Sequence, residues 1–228
     1  SYNDCVMGEA NIDAHLDNER KAFHLDAVID GPDKNRSRID GDILFAGALD
    51  MNFNAKHIPV GFMKPFMSAF ADDLTGYASG YARLFGTFQD IDLEGEVFAD
   101  SLGLKLGFTN TWYYATDSVH IRPGVIDLRN ITLRDRYGNT AMLNGYVHHQ
   151  CFHRPDFEFR ITDARKLLVY DVTPKLSPIW YGKVFGNGTA HIKGKPGIVD
   201  INVAMATTEG STFTFVLSDD EEADEYNF

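Results

Sequence analysis

A chain of 228 residues, 44% of them hydrophobic, is long enough to bury a sizeable core as one large domain. Its 33 acidic against 21 basic residues give a net charge of −12, which argues against a nucleic-acid backbone or an anionic lipid surface as the main partner. No run reaches the roughly eighteen apolar residues of a membrane span, and the opening SYNDCVMGEA lacks a basic region followed by an apolar one.

Along the chain the dominant pattern is alternation with period two, the mark of half-buried strands. Gly8, Ala10, Ile12 and Ala14, then Gly41, Ile43, Phe45 and Gly47, are early and irregular instances. One segment departs from it: in HIPVGFMKPFMSAF, residues 57–70, Val60, Met63, Met67 and Phe70 have helical spacing while Pro65 opposes a continuous helix. One or two short helical turns are predicted there. Gly80, Ala82, Leu84 and Gly86 resume the alternation, followed by Ile91, Leu93, Gly95, Val97 and Ala99 opposite Asp92, Glu94, Glu96 and Asp100. Further strands are predicted at Leu102–Phe108, Ala141–Val147, Phe157–Ile161 and Phe213–Leu217. Near Asn130 the apolar parity flips from Ile126 and Leu128 to Ile131 and Leu133, which predicts a β-bulge. The acidic run of residues 218–225 reads as a solvated linker.

The strands repeat. Gly80, Ala82, Leu84 and Gly86 are matched by Gly188, Ala190, Ile192 and Gly194, and the next strand continues the match, with Ile91, Leu93 and Val97 answering to Val199, Ile201 and Met205. Asn139, Ala141, Leu143 and Gly145 form a third copy. Glycine on the apolar side of a strand costs backbone entropy and packs nothing, so its recurrence at Gly80, Gly86, Gly145, Gly188 and Gly194 implies that something approaches that side closely. The expected neighbour is either an opposing sheet or a guest molecule lying along the strands.

Chemistry-bearing motifs are sparse. His149, Cys151 and His153 alternate on one strand side, with His148 turned the other way, but three such positions span about 13 Å, too far for one ion on a straight strand. No metal or other cofactor is expected. The two cysteines, Cys5 and Cys151, have no framework spacing, and GYASGYARLFG lacks the lysine of a phosphate-binding loop. No GxSxG elbow or HExxH occurs, and Asn-x-Ser/Thr triplets at Asn35, Asn130 and Asn187 are assigned no role. The expectation is a protein that is not an enzyme.

Residues 110–152, NTWYYATDSVHIRPGVIDLRNITLRDRYGNTAMLNGYVHHQCF, resemble the TamB translocation and assembly module family of AsmA-like envelope proteins. TDSV at Thr116–Val119, NITL at Asn130–Leu133, the turn Asp135–Asn139, and Gly145 followed by His149 and Phe152 carry the resemblance. ARKLLVYD (164–171), GNGTAHIKG (186–194) and TTEGSTFTFVLSD (207–219) extend it, so that it covers residues 74–228, while residues 1–73 resemble the family only loosely. The resemblance implies three parts: strands and the short helical stretch in 1–73, groove repeats in 74–218, and an acidic segment in 219–228 leading onward.

What it implies for fold is an all-β, elongated and strongly curved antiparallel sheet, a groove with an apolar concave face and one short helical stretch. For function it implies a periplasmic piece of a longer protein anchored in the inner membrane, which moves phospholipid along the groove or assists outer-membrane protein assembly with a BamA-like barrel. The residues expected to line such a groove against lipid acyl chains are Leu84, Leu93, Val97, Leu143, Val147, Ile192 and Ile201. About a dozen strands at about 4.8 Å spacing make a trough of roughly 60 Å, longer than an acyl chain. The competing expectation is a structural or adhesive β-sandwich or solenoid, in which the same side packs a closed protein core.

Overall fold

The computed structural model of the protein describes residues 8–31, 33–64, 71–150, 153–195 and 197–217, without the side chains of residues 149, 150 and 153–155. It is all-β. Among the described residues thirteen strands form one antiparallel sheet: β1 (Glu9–Asp17), β2 (Ala22–Asp30), β3 (Arg36–Leu44), β4 (Ala48–Pro59), β5 (Asp73–Thr87), β6 (Asp90–Leu106), β7 (Thr111–Arg122), β8 (Val125–Asp135), β9 (Thr140–Gln150), β10 (His153–Val172), β11 (Trp180–Lys195), β12 (Ile198–Thr207) and β13 (Thr212–Phe215). Each strand from β1 to β12 pairs with the next in sequence, and the sheet does not close into a barrel. β12 and β13 share one edge of β11, interrupted where the Ser211 hydroxyl bonds both the amide and the carbonyl of Phe185.

The predicted helical stretch is present in part. His57–Pro59 complete β4, Val60–Met63 form a single 3₁₀ turn, and residues 65–70 lie outside the described part. Strands β1–β4 run into the same sheet path as the repeats that follow.

Because side chains alternate and each hairpin sets the register of the next, the pairing aligns the sequence pattern across the whole sheet. One row of paired residues runs Ile12, Ala27, Ile39, Phe53, Ala82, Gly95, Ile121, Ile126, Val147, Phe157, Gly194, Val199, crossing twelve strands with an apolar residue or glycine at every step. Rows of the other parity are largely polar, as in Asp13, Asp26, Asp40, Asn52, Arg83, Glu94. A one-residue slip in any hairpin would join the two kinds of row.

The bulge predicted near Asn130 is present, with the register shifting between Leu128 and Ile131 and Asn130 left-handed at φ 56°. It is one of a set on alternate strands. β4, β6 and β10 carry others, with His57, Ser101 and Asp163 left-handed at φ 51°, 52° and 52°. The positions line up: Ala78 pairs with both Ile58 and Ala99, which flank the bulges of β4 and β6, and Leu143 pairs with both Ile131 and Ile161, which flank those of β8 and β10. A line of bulges thus crosses the sheet from β4 to β10.

At three of these bulges the freed amide is accepted by a polar side chain on the next strand. His57 donates to Ser79 Oγ at 2.8 Å, Ser101 to Thr116 Oγ1 at 3.0 Å, and Asn130 to Asn144 Oδ1 at 2.9 Å. Left-handed Lys166, further along β10, donates to Asn187 Oδ1 at 2.6 Å. Satisfying these amides makes the irregularity a stable part of the fold.

Candidate functional site

The seven residues expected to line an apolar groove fall on one side of the sheet. Leu84 pairs with Leu93, Val97 with Gly80, and Ile192 with both Phe159 and Ile201. Leu143 stands in the row Ile131, Leu143, Ile161, Ala190, Val203, and Val147 in the twelve-strand row. Six of the seven are half-buried, while Ile201, on edge strand β12, is 59% exposed. All thirteen described strands belong to the one sheet, so the shielding comes from neighbours within it.

The repeat glycines are closely approached, and by their own neighbouring strands. Gly80 and Gly188, equivalent positions of the repeat, have φ of +148° and +147°, a region open in practice to glycine alone. A Cβ on Gly80 would overlap the carbonyl oxygen of Glu96, and one on Gly188 that of Ala204. Gly86 and Gly145 likewise meet backbone oxygens, of Asp90 and Glu158, while Gly194 meets the ring of Phe157. What approaches each of these glycines closely within the protein is the adjacent strand. The repeat marks close approach of neighbouring strands, which the pattern alone could not distinguish from contact across the sheet.

The other side of the sheet is a mesh of ion pairs. Arg83 bridges Asp50 and Glu94 at 2.7 and 3.1 Å, and its hydrogen bonds hold the Asp50 carboxyl below the usual carboxylate range. Arg129 does the same for Asp127, and His191, Arg160 and Tyr146 together for Glu158. Arg83, His191 and Tyr146 bind their carboxylates across strands, Arg129 and Arg160 bind theirs along one strand, and none of these groups is arranged as a nucleophile beside a base. His148 bonds Asp156 at 3.1 Å. Cys151 and the side chains of His149 and His153 lie outside the described residues, as do Cys5 and the acidic run from residue 218. Among the described residues no group of three or more His, Cys, Asp or Glu could hold a metal ion, and no helix is long and apolar enough to cross a membrane.

One end of the sheet carries its own core. β10 continues past the turn between β8 and β9 and reaches the start of β7: Asp171 donates its amide to Thr109 at 2.9 Å, and Asn110 donates back to the Asp171 carbonyl at 2.7 Å. Buried Asp135, at the turn, accepts the amides of Tyr137, Asn139 and Leu168. Arg136 pairs with Asp171, and the Tyr113 hydroxyl, its phenol pushed up by burial, donates to the Leu168 carbonyl. Ala141, Ala164 and Leu167 pack beneath, against Tyr113, Ile161, Val169 and Met205. Beside this core lies a cleft of about 460 Å³, lined by Asp72, Lys105, Gly107, Phe108 and Asn110 on one flank and by Tyr170, Val172, Leu176, Ser177, Trp180 and Phe213 on the other.

Sequence reasoning missed Asp135 as a buried acceptor, and it missed Asn144 and Asn187 as bulge partners. Their signal was present but ambiguous: an asparagine or aspartate beside a parity flip or a turn is as often solvated as bonded. No family profile, curated protein or solved structure matches the chain.

Proposed function

We propose that this chain is a segment of a periplasmic, TamB-like envelope protein, anchored in the inner membrane through other parts of its chain, that shields lipid acyl chains in an apolar β-groove. The observation that carries the reading is the apolar row crossing twelve strands of a single open sheet, half-buried or buried from Ala27 to Gly194 and exposed at Ile12 and Val199 on the outer strands, with no second sheet among the described residues. Shielding without an opposing layer is what a concave surface produces, because its side chains lean toward one another.

The line of bulges from β4 to β10 is the crease along which the sheet bends, since a bulge bends its strand and increases the local twist. The glycine backbones that admit close strand crossing act in the same sense. A path of twelve strands at about 4.8 Å gives a trough of about 53 Å, open at β1 and β12. Each methylene buried in it contributes about 0.8 kcal/mol, so ten amount to about 8 kcal/mol before ordering costs. The whole protein would carry phospholipid between inner and outer membranes, or support outer-membrane protein assembly, with a BamA-like barrel as its distant partner. The single sheet favours this trough over a sandwich, which requires two facing layers.

The chain purified from phospholipid-containing cells and examined by native mass spectrometry should carry phospholipid. Leu143→Asp, which puts a charge in the row between Ile131 and Ile161, should remove most of it while the sheet's circular dichroism is retained. A lipid-free wild type, or equal lipid in both proteins, contradicts the reading.

A further inference from the structure

We infer that β12 is an interface between copies of this chain: it pairs antiparallel, about a two-fold axis, with the β12 of a second copy. The inference goes beyond the groove reading and does not depend on it, since it uses only the edge of the strand, its charges and the repeat.

The repeat shows a place beside β12 that another strand would fill. β12 corresponds to β6, with Val199 and Ile201 in the positions of Ile91 and Leu93. β6 is paired on both edges, by β5 and β7, and its Ile91 and Leu93 are half-buried. Among the described residues β12 is paired by β11 alone, and Val199 and Ile201 are 49% and 59% exposed. The outward amides and carbonyls of such an edge are a template for one more strand. The acidic run of residues 218–225, which follows β13, has no alternating apolar side with which to fill that place.

Charge selects a second β12 as the occupant. An edge strand that faces water is normally guarded by charged side chains, proline or a bulge. β1, at the other end of the path, is guarded, with Glu9, Asp13 and Asp17 at alternate positions along one side. β12, IVDINVAMAT, has Asp200 as its one charged residue and no proline, and Lys193 of β11 already lies 3.9 Å from that carboxylate. Pairing β12 with the β1 of another copy would bring Asp200 onto an acidic side, and pairing two β1 strands would set acid against acid along the joint. Two β12 strands avoid this. A two-fold axis normal to the sheet pairs each residue with one of its own parity, so the side bearing Val199, Ile201, Val203 and Met205 meets the same side of the second copy. With the axis at Ile201, Asp200 stands opposite Asn202 of the second copy. Both outer edges of the pair are then β1, whose charge stops growth at two copies.

Light scattering over a concentration series tests the pairing. The mass should rise from 25.5 kDa in dilute solution to twice that value and stop there. Over the same range, hydrogen exchange of the wild-type chain should slow in residues 198–207 and stay unchanged in residues 9–17. Ile201→Lys guards the open edge with a charge and should raise the dimer dissociation constant at least about tenfold while the circular dichroism of the sheet is retained, whereas Asp13→Asn should leave that constant as it is. If Ile201→Lys does not fold, the exchange pattern of the wild type decides alone. A mass of 25.5 kDa at every concentration overturns the inference. So does a dimer whose protection appears in residues 9–17, or one that Ile201→Lys leaves intact. Growth beyond two copies, with protection on both β1 and β12, overturns the two-fold pairing in favour of end-to-end stacking.

Discussion

Strands β7–β11 and strands β1–β3 belong to one sheet and share one alternating pattern, yet they bury their apolar side chains very differently. Leu167 in β10 is 1% exposed, whereas Ile12 in β1 is 66% exposed. The difference lies in what covers them. Where β10 overshoots the β8–β9 turn and bonds to Thr109, the chain supplies its own lid and closes a core around Ala141, Ala164 and Leu167. In β1–β3 no comparable crossing occurs among the described residues, and each apolar residue has only its in-sheet neighbours. The same sequence pattern thus serves as core in one region and as open surface in the other, and stability should concentrate in the first.

Substitution tests that contrast directly. Leu167→Ala should cost about 3 kcal/mol in urea denaturation, within the range for emptying a buried leucine site, while Ile201→Ala on the exposed edge should cost under about 1 kcal/mol. Similar losses at both positions would mean that the edge is covered as fully as the core. Asn187→Ala removes the acceptor of the Lys166 amide and should cost about 1 kcal/mol, with Asn187→Asp restoring most of it. A neutral Asn187→Ala would show that water serves the bulge equally well.

The smallest effect expected is on pH dependence. Arg129 holds Asp127 below its ordinary carboxylate value, so this pair's contribution is fully present above the unfolded value of about 4 and is lost as pH falls through the folded one. The urea midpoint should therefore fall on acidification below about pH 4. Arg129→Gln should flatten that part of the fall without changing the core.

Much of the fold was legible because period-two alternation both marks a strand and assigns its sides. The parity flip at Asn130 located a bulge, and the seven residues from Leu84 to Ile201 fell together by register. The reason for the glycines was not legible: a glycine that admits an adjacent strand and one that admits a guest leave the same mark in sequence. The overshoot of β10 was hidden as well, because it depends on Asp171 meeting Thr109 and Leu168 meeting Asp135, contacts between residues far apart in the chain. Asn144 belongs with these. Its alternation marks it as an outward, replaceable position, yet it holds the Asn130 amide, so Lys193 is the sounder control on the polar side.

The most direct test of the groove places a photoreactive residue in the intact protein in cells at Leu143 or Ile192, on the apolar rows, and at Lys193, on the opposite side of β11. The account predicts lipid adducts at Leu143 and Ile192 and few at Lys193. No adducts at the first two, or as many at Lys193, would mean that the apolar side is ordinary protein packing, and would contradict the proposal that this sheet shields lipid.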